Sequence, residues 1–285
     1  ERGTIECDMT VGRLATDKFL IVIGTAFGLR ASWWIENHMP DDGTVSFKEV
    51  TSAYAVINVI GPKSRALLEK TANADLSNSG FPFGMCKRFT VGYAPVISFR
   101  VTYVGELGYE LYIPAEFAGH VYETLWEAGQ DLGVNNAGYR TIASTHLEKG
   151  YADWGSELSP EYTPFDAGLG FCVALQKDDF IGKDALARIK AEGAKWNLCT
   201  FTIDAGKPLI LQGSAPIILN GEVIGVTSSA GYGHTIGKNI CYGYIPAEKS
   251  SVGDGFEIES YNKRYPAKIE PHRALYDPER KKILA

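Results

Sequence analysis

The chain has no surplus of positive charge: 28 Lys and Arg stand against 34 Asp and Glu over 285 residues, a formal net charge of −6. Without a basic footprint for a phosphate backbone or an anionic lipid surface, neither a nucleic-acid partner nor a membrane partner is expected. Long apolar runs are missing too. The longest, from Phe19 to Leu29, is interrupted by Gly24 and Gly28 and is far shorter than the roughly 20 residues of a bilayer-spanning helix. The cysteines, Cys7, Cys86, Cys172, Cys199 and Cys241, are odd in number and never spaced C-x-x-C. That pattern argues against a disulfide framework and a structural zinc site, and for a reducing compartment.

Cofactor fingerprints are scarce. No G-x-G-x-x-G follows a strand pattern, so a flavin or nicotinamide nucleotide would have to be bound by another segment or chain. The histidines, His38, His120, His146, His234 and His272, are far apart and form no H-E-x-x-H, so no metal is expected. Gly233-His-Thr-Ile-Gly237-Lys238-Asn239 looks superficially like a phosphate loop. It is one residue short, however, and has Asn where magnesium would need Ser or Thr, so a glycine-rich turn is the better reading. Ser144, His146 and Glu148 do not make a hydrolase triad, because residues two apart on a helix do not face each other.

What is present is an alternation of strand and helix patterns followed by an all-strand region. Thr4 to Val11 and Phe19 to Gly24 predict a hairpin across the polar turn Ala15-Thr-Asp-Lys18. Ala31 to His38 predicts a helix, Thr51 to Ile60 a strand, and Gly61-Pro62 the start of a short helix through Leu67 and Leu68. Phe89 to Tyr103 reads as two strands around Gly92-Tyr93, and Glu110 to Ile113 as another. A helix is expected from Pro114 through Phe117, Val121, Leu125, Ala128 and Leu132, with Gly133 as its stop. Further helices are predicted over Tyr139 to Lys149, ending at Gly150, and over Asp179 to Ile189. From about Asn197 the pattern turns to short strands, with Asn220-Gly221 as a strong hairpin signal.

Within this frame, Arg100-Val-Thr-Tyr-Val-Gly-Glu-Leu-Gly-Tyr-Glu-Leu-Tyr-Ile-Pro114 reads as strand, glycine-bearing turn and strand, and resembles the pterin-binding signature of the glycine-cleavage T-proteins. Other segments agree in order and spacing: Gly3-Thr-Ile-Glu-Cys-Asp-Met9, Asp75-Leu-Ser-Asn78, Ala137-Gly-Tyr-Arg140, Leu147-Glu-Lys-Gly150, Ala167-Gly-Leu-Gly170 and Asp179-Phe-Ile-Gly-Lys183. Gly24-Thr-Ala-Phe-Gly28, Asp75-Leu-Ser-Asn78 and Val104-Gly-Glu-Leu-Gly-Tyr-Glu110 bring the resemblance closer to the folate-binding portion of dimethylglycine and sarcosine dehydrogenases.

The resemblance implies a site. In the family a carboxylate ends the Gly-Gly-Ile-x-Asp-Asp strand beside the nitrogens that accept the one-carbon unit; here Cys7-Asp8 holds that place, and Asp8 is the catalytic candidate. Glu110 would accept from the N–H and amino groups of the pterin, since one carboxylate can take two parallel bonds. Tyr103, Tyr112 and Phe171 would supply aromatic faces for the flat ring, with core packing as the alternative for Tyr112 and Phe171. Arg140 would meet the folate carboxylates or else form a structural ion pair. The family's second-strand asparagine would fall at Gly24 or Thr25 and is missing.

The implied fold is α/β (α+β), T-protein-like: a folate-binding region over residues 1–192, lacking family-typical strands and a helix before Glu1, and a C-terminal β-barrel over residues 193–285. The implied activity is tetrahydrofolate-dependent capture of the one-carbon unit from oxidative demethylation of a small amine, dimethylglycine or sarcosine. FAD would sit on a preceding segment or a partner dehydrogenase chain, in the bacterial cytoplasm or the mitochondrial matrix. The rival readings are a regulatory pseudoenzyme of the same fold, a folate-dependent S- or O-demethylase, and a plain folate-binding domain.

Overall fold

The structure, a computed structural model, describes residues 2–211 and 213–285. The chain divides into two compact units, one of Met9–Ala137 with Glu279–Ala285, the other of Glu1–Asp8 with Gly138–Pro278.

The first unit is built on an antiparallel sheet. Strands β3 (Tyr54–Ile60), β4 (Cys86–Val91), β5 (Ala94–Phe99) and β6 (Gly108–Pro114) lie in the order β3-β6-β5-β4. Alternation along β6 decides which face each residue serves. Tyr109, Leu111 and Ile113 are fully buried in a core completed by Leu67 and Leu68 of α2 (Ser64–Thr71) and Val121 and Leu125 of α3 (Ala118–Ala128). Glu110 and Tyr112 fall on the opposite face. There Leu14 of β1 (Thr10–Ala15) and Leu20 and Val22 of β2 (Lys18–Val22) pack with Ile97, Phe99 and Tyr112 in a second cluster. This β1–β2 hairpin approaches so closely that a Cβ built on Gly12 would lie 2.2 Å from the Phe99 ring, which only glycine avoids. The helix α1 (Gly28–His38) buries only Ala31. The last residues close the unit: Ile283 is buried, and the Ala285 carbonyl accepts from Arg65 Nη2 at 2.7 Å and Arg100 Nη2 at 2.9 Å.

In the second unit β7 (Trp196–Ile203), β8 (Pro216–Leu219), β9 (Glu222–Gly233), β10 (Lys238–Pro246), β11 (Gly253–Ser260) and β12 (Lys263–Ile269) close a barrel in the order β10-β7-β12-β11-β8-β9. Phe201, Ile217, Cys241, Ile245 and Ile258 fill it. The predicted Asn220-Gly221 turn joins β8 to β9 with φ of 54° and 85°, the left-handed pair that a two-residue hairpin requires. Two helices, α4 (Tyr139–Lys149) and α5 (Lys183–Glu192), precede the barrel in the chain. Among the described residues no helix is long and apolar enough to cross a membrane.

Five elements differ from the sequence expectation, the mildest being β3, which begins at Tyr54 behind a 3-10 turn, Thr51–Ala53. Residues 4–9 form no strand, and β1 starts at Thr10. Pro114 ends β6; a 3-10 turn, Ala115–Phe117, intervenes before α3, which stops at Ala128, and Gly133 closes a further 3-10 turn, Gln130–Leu132. The third helix of the sequence reading begins at Lys183, behind Gly182 in the left-handed region. Most consequential, residues 100–107 are a bent loop, not a strand. The β5–β6 ladder ends at Phe99 opposite Glu110, because Arg100 turns inward and its Nη1 donates to the Phe81 carbonyl at 2.7 Å.

Candidate functional site

The open sheet face of the first unit carries the densest chemistry. Glu110 and Tyr112, two residues apart on one strand, share a face, and the Tyr112 hydroxyl donates to Glu110 Oε2 at 2.7 Å. Burial first, then the charge of Glu110 and the bond to it, push the Tyr112 phenol far above its ordinary value. The phenol therefore stays protonated and remains a donor. Its ring is 5% exposed and stands edge-on to Phe99, with centroids 5.2 Å apart and planes at 69°. Tyr112 thus spends its ring on packing and its hydroxyl on fixing one oxygen of Glu110.

Glu110 itself is half-buried. It sits between Phe99 on β5 and Asn58 on β3, while Tyr112 pairs across β3 with Val56, which is 52% exposed. The β1–β2 hairpin shields the Phe99 side, so within this unit the carboxylate looks out along the uncovered side next to β3. Tyr103 lies in the loop 100–107 and is partly buried. That loop is pinned at both ends: Gly84 N–H donates to the Arg100 carbonyl at 2.8 Å, and Gly61 N–H and Ser64 Oγ donate to the Leu107 carbonyl at 2.8 and 3.2 Å.

The other predicted residues belong to the second unit. Asp8 ends the extended segment that Ile5 anchors, by an N–H bond of 2.9 Å to the Tyr162 carbonyl and by burial with Leu158, Ala167 and Tyr244. Burial and the negative charge of Asp153 push the Asp8 carboxyl above its ordinary value. Asp153 is pushed up as well, by burial and then Glu157, with His146 opposing. Glu157 is fully buried and well satisfied: its oxygens accept from Asp153 N–H at 2.9 Å, Ser229 N–H at 2.9 Å and the Ser228 hydroxyl. Phe171, 84% exposed, lies in the 3-10 turn Gly170–Cys172, whose Cys172 thiol is pushed up by burial and then by Asp8. Arg140 is exposed on the first turn of α4.

Within each unit, then, the structure brings Glu110 to Tyr112, and Asp8 to Asp153 and the Phe171–Cys172 turn. Sequence reading missed Asp153, and no local signal marks it, since its effect on Asp8 comes from a separate segment.

Several motifs behind the resemblance prove to be joints. In Leu147-Glu-Lys-Gly150, Glu148 Oε1 accepts from Thr235 N–H at 2.6 Å and Ile236 N–H at 3.3 Å. The glycine-rich turn after β9 therefore already holds an anion, the protein's own carboxylate, as a turn and not a phosphate loop would. Lys149 Nζ lies 2.8 Å from Asp277 Oδ2, both side chains nearly fully buried. The Tyr242 hydroxyl reaches the Leu147 carbonyl at 2.8 Å, and Arg273 Nη1 the Ala167 carbonyl at 2.6 Å. A cleft of about 960 Å³ at the barrel is lined by Thr202, Lys207, Tyr232, Lys238, Phe256 and Lys268 among others, and includes none of the predicted site residues. Among the described residues no group of three or more His, Cys, Asp or Glu is placed to hold a metal ion.

Comparison with known proteins adds an independent line. Residues 1–177 match the model of the GCVT N-terminal domain, and residues 197–277 that of the glycine cleavage T-protein C-terminal barrel domain. Dimethylglycine dehydrogenase, mitochondrial, of Mus musculus is 36% identical over 291 residues, which take in 99% of this chain and 33% of that protein. Pyruvate dehydrogenase phosphatase regulatory subunit, mitochondrial, of Mus musculus is 35% identical over 250 residues, 86% of this chain and 28% of that protein. The chain thus spans about a third of the length of these relatives. The crystal structure of glycine cleavage system aminomethyltransferase T from Bartonella henselae shares the fold, with a TM-score of 0.80 at 23% identity over 95% of this chain and 72% of that one.

Proposed function

Because the chain belongs to the glycine cleavage T-protein family, we propose that it carries out tetrahydrofolate-dependent one-carbon transfer, collecting the methylene unit freed when dimethylglycine or sarcosine is oxidatively demethylated and yielding 5,10-methylenetetrahydrofolate. The observation that carries the reading is Glu110: a half-buried carboxylate with one oxygen fixed by Tyr112, on a sheet face where the β1–β2 hairpin covers Phe99 and Tyr112 while Val56 and Asn58 of β3 stay exposed. A ring edge with two N–H donors needs such an acceptor, and the fixed geometry means little ordering is left for binding to bring about.

When bound, tetrahydrofolate supplies the two amine nitrogens that take up the one-carbon unit as a bridge. Glu110 holds the ring donors and Tyr112 orients Glu110. Tyr103 and Phe171 offer aromatic faces, and Arg140 a bidentate partner for the folate carboxylates. Asp8 orients the reacting nitrogen and stabilises the positive charge that develops there. The oxidation itself falls to a FAD-dependent dehydrogenase or oxidase domain or subunit that acts with this chain.

The similarity to a regulatory subunit supports a second reading, a regulatory pseudoenzyme of the same fold. One experiment separates them. Calorimetric titration with tetrahydrofolate is paired with an assay of methylene uptake from formaldehyde, for the wild type and for Asp8→Asn. Transfer by the wild type, lost in Asp8→Asn while folate affinity stays within about threefold, supports the enzymatic reading. Binding without transfer by the wild type leaves a plain folate-binding domain, and no binding refutes the folate reading and favours the regulatory one.

A further inference from the structure

We propose that Asn58 is a specificity-determining residue of the Glu110 site, placed to read the ring carbonyl beside the two donors that Glu110 accepts from; the proposal rests on the folate reading above. Asn58 lies in the middle of β3 and is register-paired with Glu110 on β6. Directly opposed residues of an antiparallel pair point to the same side, their Cβ atoms about 4.5–5.5 Å apart. The flanking residues agree: Ile57 and Val59 pack into the helix-covered core, and Val56 and Asn58 are exposed on the other face. Asparagine is unfavourable in strand interiors, and the rest of this strand, Tyr-Ala-Val-Ile-x-Val-Ile, consists of Tyr, Ala and β-branched residues. Nothing in the packing of β3 calls for an amide at this point.

What the position offers is chemistry that Glu110 lacks. A carboxylate is an acceptor only, whereas the Asn58 amide adds two donors and a further acceptor beside it. With Tyr112 holding Oε2, the half-buried Glu110 and the exposed Asn58 together present acceptors flanked by a donor along one edge. The 2-amino-4-oxo-pyrimidine edge of a pterin is the complement: an amino group and a ring N–H, then a carbonyl. Glu110 alone would bind the two donors of any such ring; Asn58 makes the neighbouring carbonyl count. A carbonyl with no donor in a site shaped for it loses its share of affinity, which is how polar pockets discriminate between close analogues.

The test is calorimetric titration of the full chain with tetrahydrofolate and with its 4-amino-4-deoxy counterpart, for wild type, Asn58→Ala, Asn58→Asp and Glu110→Gln. Asn58→Ala should weaken tetrahydrofolate by roughly three- to tenfold, the value of one net hydrogen bond. Asn58→Asp, which replaces the donor by a second acceptor, should weaken tetrahydrofolate further and swing the ratio of the two affinities toward the 4-amino ligand. The exposed position lets both variants fold, which thermal melting checks. If both variants bind the two ligands as the wild type does while Glu110→Gln binds them weakly, the Asn58 assignment is overturned and the folate reading stands. Equal losses of the two ligands in Asn58→Asp also overturn it, because an acceptor in place of the amide must weigh against the ring carbonyl and not against a 4-amino group. If the wild type binds neither ligand, the folate reading falls and takes this assignment with it.

Discussion

Replacing Tyr112 by Phe removes a single hydroxyl and leaves the edge contact with Phe99 in place, so it isolates the bond on which the proposed site turns. A hydrogen bond to a charged group contributes about 1.5–3 kcal/mol when both partners are buried. Tyr112 is 5% exposed, but Glu110 is only half-buried, so water replaces part of what the carboxylate loses, and about 1 kcal/mol of destabilisation is the reasoned value. The sign should depend on background. In Glu110→Ala the phenol has lost its acceptor, so adding Tyr112→Phe removes an orphaned donor and should be neutral or stabilising. Urea denaturation of the four proteins of this cycle gives the coupling directly, expected at about 1 kcal/mol. Tetrahydrofolate affinity should fall roughly three- to tenfold in Tyr112→Phe, since an unfixed carboxylate must be ordered on binding. The same loss of stability in both backgrounds would mean that the hydroxyl does its work elsewhere, and the account of Glu110 as a pre-set acceptor would be wrong.

Asp153→Asn should raise stability at neutral pH and shift the acid limb of methylene transfer to lower pH. Asp8 and Asp153 are each held above their ordinary values, so the folded state binds protons more tightly than the unfolded chain, and wild-type stability falls as pH rises from about 4 through the folded values. The variant's advantage should therefore vanish below about pH 4; an advantage that persists there would point to packing instead of charge. Lys149→Met should destabilise by about 3 kcal/mol or more, because it strands a buried carboxylate, and adding Asp277→Asn should recover part of the loss. Denaturation of both proteins checks this, and no recovery would show that the lost bond to the Asp277 backbone carbonyl, and not the stranded charge, matters. Gly12→Ala should cost about 1–3 kcal/mol by forcing the hairpin off the Phe99 ring; a wild-type melting temperature would show that the hairpin gives way freely.

Where the sequence was legible, the signal was local. The helix α4 spans the predicted Tyr139–Lys149 because glycines stand on either side, and Gly150 takes the left-handed conformation that ends it. The turn between β1 and β2 and the Asn220-Gly221 hairpin were legible for the same reason. The loop 100–107 was not. Its Val, Thr and Tyr are strand formers, but pairing stops because Arg100 is drawn inward to carbonyls 19 and 185 residues away. A propensity window cannot see partners at that distance. Asp153 was invisible for a related reason: its charge acts on a residue remote in sequence.

The resemblance carried a different kind of information, and the structure sorts it. A motif shared across a family can be kept by chemistry or by packing, and its letters do not say which. Leu147-Glu-Lys-Gly150 and Ala167-Gly-Leu-Gly170 contain charged or aromatic-flanked positions that look functional, yet Glu148, Lys149 and the Ala167 carbonyl are consumed by bonds to Thr235, Asp277 and Arg273. Glu110 sits in an equally charged-looking stretch, but it is half-buried, and among the described residues its carboxylate is held by the Tyr112 hydroxyl beside the exposed Asn58. The useful criterion is therefore not which polar residues a motif contains but which of them the fold orients and then leaves with bonding capacity to spare. By that criterion Glu110 and Asn58 stand together on one face, and Asp8 is a candidate of another kind, a carboxyl that burial and Asp153 hold above its ordinary value.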